Sequence, residues 1–165
     1  MDLSKPFDTA LVLTSIDPAI DIERFEEKLS PTLTRIQSFV ALRDASVLPI
    51  REGMQPVLFS LRPVSARELN SLVSDLNSDE TPPSELWALV QRCLIAVKDD
   101  PEFSLKPEDF VVVDALRGTQ QLSPAAMDRV ARQYGLNAVR EIGRALIVRA
   151  APSSRALAPF LSPLG

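Results

Sequence analysis

The chain has 165 residues, 45% of them hydrophobic and 24% charged, enough for one packed domain and too apolar for a disordered chain. Its 18 basic and 22 acidic residues leave a net charge of −4, which disfavours counterion-driven binding to nucleic acid. With no histidine and one cysteine, it lacks the residues for zinc centres, Ser-His or Cys-His catalysis and intrachain disulfides.

Fourteen prolines against five glycines make an unusual punctuation. Several prolines follow Ser, Thr or Asp, the arrangement of an N-cap before a proline in the first helical turn. Near the N-terminus, Leu11-Val12-Leu13 is short and β-branched enough for a strand, with an arm reaching a neighbour as the alternative. Asp17-Pro18 then predicts a helix over 17–29, with Ile22, Phe25 and Leu29 on one face. Ser30-Pro31 ends it and begins a turn or a second helix reaching residue 42 through Leu33, Ile36, Phe39 and Val40.

From 47 to 64 the pattern changes to a β-hairpin: Val47-Leu48-Pro49-Ile50, a turn at 51–54, and an extended run over 56–62. There Val57, Phe59 and Leu61 alternate onto one face. Ser65 and Glu68 form a capping box ahead of a helix carrying Leu69, Leu72, Val73 and Leu76. Thr81-Pro82 opens the clearest helix, with Leu86, Val90, Cys93, Leu94 and Val97 on one side and a stop at Asp99-Asp100-Pro101. Cys93 lies within this apolar stripe and reads as a buried thiol. Trp87 lies beside the stripe and reads as a core anchor that a partner interface would also use.

Glu108 and Asp109 before Phe110, and Gly118 after Leu116, favour a helix there over the strand suggested by three consecutive valines. Ser123-Pro124 starts another helix that Gly135 closes. Asn137 caps the last, which turns Val139, Ile142, Leu146 and Ile147 inward and carries Gly143, a site of close packing or of weakness. The expected architecture is α+β, mainly α: a small β-hairpin or three-stranded sheet packed against a helical bundle. It comprises one domain over 1–150 and an extended, proline-rich C-terminal arm over 151–165.

No constellation carries chemistry. The pairs Asp99/Asp100, Glu108/Asp109 and Glu26/Glu27 sit at helix ends or on solvated faces. Asp75, Asp79 and Glu80 lack the spacing and central glycine of a calcium loop. There is no glycine-rich phosphate loop and no G-x-S-x-G elbow. Arg129, Arg132, Arg140, Arg144 and Arg149 make the last third locally basic, but Asp128 and Glu141 interrupt them and only Tyr134 is placed to stack a base. No apolar stretch approaches the ~20 residues that span a bilayer, and residues 1–6 do not resemble a secretory signal, so a cytoplasmic location is expected. The expectation is therefore a non-enzymatic protein without catalytic, cofactor or metal residues, working through other protein subunits. Phe59, Trp87, Leu157, Phe160, Leu161 and Leu164 are its candidate partner-binding residues.

Residues 51–75, above all Pro56-Val57-Leu58-Phe59-Ser60-Leu61-Arg62-Pro63-Val64-Ser65-Ala66-Arg67-Glu68-Leu69, resemble tail assembly chaperones of tailed bacteriophages and related small virion-assembly proteins. In these a short strand ending in a Leu-Arg-Pro-like turn leads into a helix. The resemblance implies phage morphogenesis, as a virion structural subunit or an assembly chaperone, with copies of itself or phage structural proteins as partners. It also implies residence in the host cytoplasm during assembly, with incorporation in the virion for a structural subunit. The N-terminal 45 residues have no counterpart in that pattern. An acidic regulator or inhibitor of a host protein is the alternative, and an enzyme of unfamiliar class is a further one.

Overall fold

The computed structural model describes residues 9–13, 16–21, 40–41, 50–74 and 80–150. In chain order the strands are β1 (Thr9–Val12), β2 (Val40–Ala41), β3 (Leu58–Leu61), β4 (Leu94–Lys98), β5 (Phe110–Asp114) and β6 (Thr119–Leu122). The helices are α1 (Ala66–Leu72), α2 (Pro83–Cys93), α3 (Pro124–Tyr134) and α4 (Leu136–Ala150). The fold is α+β: an antiparallel four-stranded sheet of order β2-β1-β3-β4, a two-stranded β5-β6 hairpin and the helices share one hydrophobic core.

β3 occupies the interior of the sheet, pairing Thr9 with Leu61 and Leu11 with Phe59 on one side, and Leu58 with Lys98 on the other. The turn expected at 51–54 is present: the Met54 N–H donates to the Arg51 carbonyl at 3.1 Å, and Gly53 takes φ +76°. Its expected hairpin partner is not. Both edges of β3 belong to β1 and β4, while Ile50 bridges to Ile20 instead. Residues 47–49 lie outside the described residues.

Local signals in the N-terminal third are redirected by distant pairing. Asp17 accepts from the Ala19 N–H at 2.9 Å, as a cap would, but its other oxygen accepts from Val57 N–H at 2.7 Å. It therefore fastens a turn at 17–20 to the approach to β3 and does not open a helix there. Val40 and Ala41, read as the end of a helix, form β2 against Val12 and Leu11. The remainder of both expected helices, 22–39 and 42, falls outside the described residues.

Two apolar segments read as helical are strands. α2 runs only to Cys93, and the chain passes without a loop into β4, where Leu94 already has extended backbone (φ −72°, ψ 119°). Pairing with β3 supplies β4 with hydrogen bonds that another helical turn would have kept local. Residues 110–114 form β5, as the three β-branched valines favour. Gly118, with φ +66°, serves the hairpin turn and does not close a helix.

The C-terminal helices follow their capping residues. Ser123 Oγ accepts from the Ala126 N–H at 3.1 Å, and Gly135 takes φ +91° at the end of α3. α4 begins at Leu136, so Asn137 lies inside it and is not its cap. Val139, Ile142, Leu146 and Ile147 are buried along its inner face. Gly143 is where α2 comes closest: a Cβ there would lie 3.0 Å from the Leu86 Cβ and 3.2 Å from its Cα. The glycine thus serves close packing.

Candidate interaction surface

The β5-β6 hairpin is clamped at its base and free at its tip. Asp109, buried immediately before β5, accepts from the Lys106 N–H at 2.8 Å and from the Arg129 guanidinium of α3 at 3.0 Å. Its carbonyl accepts from the Ser123 N–H at 2.8 Å. On β6, the Leu122 carbonyl accepts from Gln91 Nε2 at 2.9 Å, and Gln121 Oε1 accepts from Arg92 Nε at 3.0 Å, so α2 holds that strand. β5 is consequently the outer strand, and its second edge pairs with no other strand among the described residues.

This outer strand is apolar and open to solvent. Val111, Val112 and Val113 are 40%, 57% and 40% exposed, and Leu116 at the tip is 99% exposed. The tip is nevertheless built: Asp114 Oδ1 accepts from the N–H groups of Leu116 and Arg117 at 3.1 and 3.3 Å. Arg117 Nε lies 3.8 Å from the other Asp114 oxygen. An ordered turn that presents a bare leucine has lost much of its conformational entropy before a partner arrives. Phe110, at the other end of the strand, packs against the core.

A second apolar feature lies between the first turns of α2 and α4. Pro83, Leu86, Trp87, Leu136, Val139 and Arg140 line a groove of about 100 Å³. Leu136 is 67% exposed on its rim, and Trp87 is half-buried in its wall. A hollow of about 330 Å³ beside α3, lined by Glu102, Phe103, Arg129, Arg132 and Gln133, is polar. Its Arg129 is already engaged by Asp109 and stacks 5.3 Å above the Phe103 ring.

Arg62, Glu68, Arg92, Tyr134 and Asp100 tie neighbouring parts of the fold together. The Glu68 backbone N–H donates to Ser65 Oγ at 3.1 Å, but the Glu68 carboxylate does not return to Ser65 as a full capping box requires. It accepts from both Arg62 terminal nitrogens at 3.2 and 3.0 Å, with Arg92 at 4.0 Å. The Arg62 hydrogen bonds hold the Glu68 carboxyl below its ordinary value, and the same pairing raises Arg62. Burial pushes the Cys93 thiol up to about 12, which makes it an inert core group. Tyr134 donates to Asp100 Oδ2 at 2.6 Å; burial first, then this bond, drives its phenol above the ordinary range.

The candidate partner-binding residues are thus dispersed. Phe59 is only 2% exposed, its ring edge-on to Tyr134 at 5.0 Å, so it is a core residue. Trp87 reaches the surface in the groove. Leu157, Phe160, Leu161 and Leu164 lie outside the described residues. Val111, Val112, Val113, Leu116 and Leu136 were missed by sequence reasoning. For the hairpin a signal existed, since Asp114 and Gly118 are the residue types that open and close a short turn between strands. Among the described residues, no group of Cys, Asp and Glu side chains is arranged to hold a metal ion, and no helix is long and apolar enough to cross a membrane.

No protein-family model matches the chain, and no curated protein or solved structure matches it either.

Proposed function

We propose that this protein acts by binding other protein subunits, copies of itself included, and has no chemistry of its own. One observation carries the reading: a clamped hairpin exposes three consecutive valines on a strand whose outer edge pairs with no other strand among the described residues, and a fully exposed leucine at an ordered tip. An apolar edge strand in water invites a further strand, whose backbone supplies affinity while side-chain pockets supply selectivity. The bulge between Val112 and Asp114 limits the usable edge to the start of β5 and leaves Leu116 to fill a pocket in the partner.

Virion assembly in a tailed phage is the setting we propose, and its support is the resemblance over residues 51–75. The strand, Arg62-Pro63 turn and capped helix that carry that resemblance occur here as β3 and α1. The absence of histidine from the whole chain supports the non-enzymatic part of the reading.

Light scattering after size exclusion, across a concentration series of the full chain, tests the proposal. The expected result is a mass that rises to ordered oligomers and falls back to the monomer in Val112→Asp and Leu116→Asp, with helical circular dichroism unchanged. A strict monomer at every concentration would overturn self-assembly and favour a chaperone awaiting a different subunit.

A further inference from the structure

The hairpin tip and the groove between α2 and α4 fit one another in shape. At the tip, Leu116 stands 99% exposed on an ordered turn, two residues beyond Asp114. In the groove, buried Leu86 and Val139 form the floor, Pro83 and Trp87 the wall, and Leu136 the rim. Its volume of about 100 Å³ is somewhat below the ~150 Å³ of an apolar cavity that takes up benzene, so it has room for one branched aliphatic side chain.

Charge agrees with shape. Arg140 lies at the groove margin and has no hydrogen-bond or ion-pair partner among the described residues. At the tip, one oxygen of Asp114 is held only loosely, 3.8 Å from Arg117 Nε. A leucine seated in the groove brings this carboxylate, two residues away, to the margin where Arg140 stands. Asp114 then lies between two guanidinium groups, as Glu68 already does between Arg62 and Arg92 within the fold.

The chain's own groove does not cover its own tip, since Leu116 is bare. A second copy supplies the missing half. We infer that Leu116 of one copy seats in the Trp87 groove of a second copy, with Asp114 facing Arg140. The inference rests on the reading above that this chain binds other subunits, and it names the subunit and the pocket. Tip and groove are different surfaces, so the contact is heterologous: a joined pair still carries one unused tip and one unused groove, and further copies add head to tail.

Two variants of the full chain each disable one half. Leu116→Asp removes the tip residue and keeps the groove. Leu136→Asp charges the rim, keeps the tip, and places its carboxylate in the first turn of α4, where the helix dipole favours it. Light scattering after size exclusion, at concentrations up to about 1 mM, the range of so small a contact, should give the wild type a rising mass and each variant alone the monomer mass. An equimolar mixture of the two variants should approach twice the monomer mass and stop there, because it joins one intact tip to one intact groove. Trp87 is the only tryptophan, so its emission reports on the groove. It should shift to the blue as the wild type associates and in the mixture, and in neither variant alone. A wild type that stays monomeric, a Leu136→Asp chain that assembles as the wild type does, a mixture that stays monomeric, or association without the Trp87 shift would each overturn the inference. Oligomers that persist in both Val112→Asp and Leu116→Asp would instead overturn the reading it rests on, by showing that the hairpin is not the interface.

Discussion

β4 and β5 are five-residue strands of similar composition, Leu-Ile-Ala-Val-Lys and Phe-Val-Val-Val-Asp, with opposite fates. In β4, Leu94 is 1% exposed, because the strand pairs with β3 and turns this side chain into the shared hydrophobic core. β5 leaves its valines in water, because among the described residues no other strand pairs with its outer edge. Apolar composition sets how much a strand gains from being covered; topology decides whether its own chain provides the cover. The surplus apolar surface on β5 is what a second protein would bury.

The contrast is sharpest in a matched truncation. Leu94→Ala should cost about 2–5 kcal/mol, the range for a large-to-small change in a packed core. Val112→Ala, the same kind of change on β5, should stay within about 0.5 kcal/mol. Urea unfolding measures both, and equal losses would show that β5 is covered in solution. Gly143→Leu extends the test to the packing of α4 against α2. With Leu86 at 3.0 Å from a modest Cβ, overpacking should cost about 1–3 kcal/mol and lower the urea midpoint.

Titration should also act on the buried side. The folded value of Cys93 lies above its ordinary 9.0, so the unfolded chain loses that proton first. Stability is full below pH 9 and is lost as pH rises toward about 12, and Tyr134 adds to the loss above its own ordinary value of 10.0. Glu68 works in the opposite sense. Its lowered value supports the fold above pH 4.5, and the contribution fades as pH falls. Thermal melts across both limbs check the signs, and Cys93→Ala should flatten the alkaline one. A modest effect is expected on this buried side from Tyr134→Phe, which removes one hydrogen bond to Asp100 but keeps the edge-on contacts with Phe59 and Phe103, a loss of about 0.5–1.5 kcal/mol.

The parts of the fold legible in the sequence were those decided within a few residues. Ser123, Pro124 and Gly135 bound α3 by hydrogen bonds and a positive φ that lie at its own ends, and the inward face of α4 follows from helical spacing alone. Strand assignments failed where distant residues cast the deciding vote. Leu94 and Val97 fit a helical stripe as well as a strand, and only pairing with 58–61 separates the two. Pairing of β3 with 9–11 and 94–98 likewise displaced the nearer, expected partner. The interaction surface was less legible still. Valine and leucine carry no mark of exposure, and an alternating pattern puts Phe59 on a buried face without saying that both neighbouring edges are occupied.

The direct passage from α2 to β4 leaves no linker in which the two could pivot. The carbonyl of Cys93 accepts from the Arg62 N–H at 2.7 Å, so the joint is welded to the end of β3 as well. Helix and sheet must therefore tilt as one lever. A push on Trp87, two turns above the joint, would be felt as a change in strand register and not absorbed by a hinge, and amides on both sides of residue 93 should exchange with solvent only when the whole domain opens.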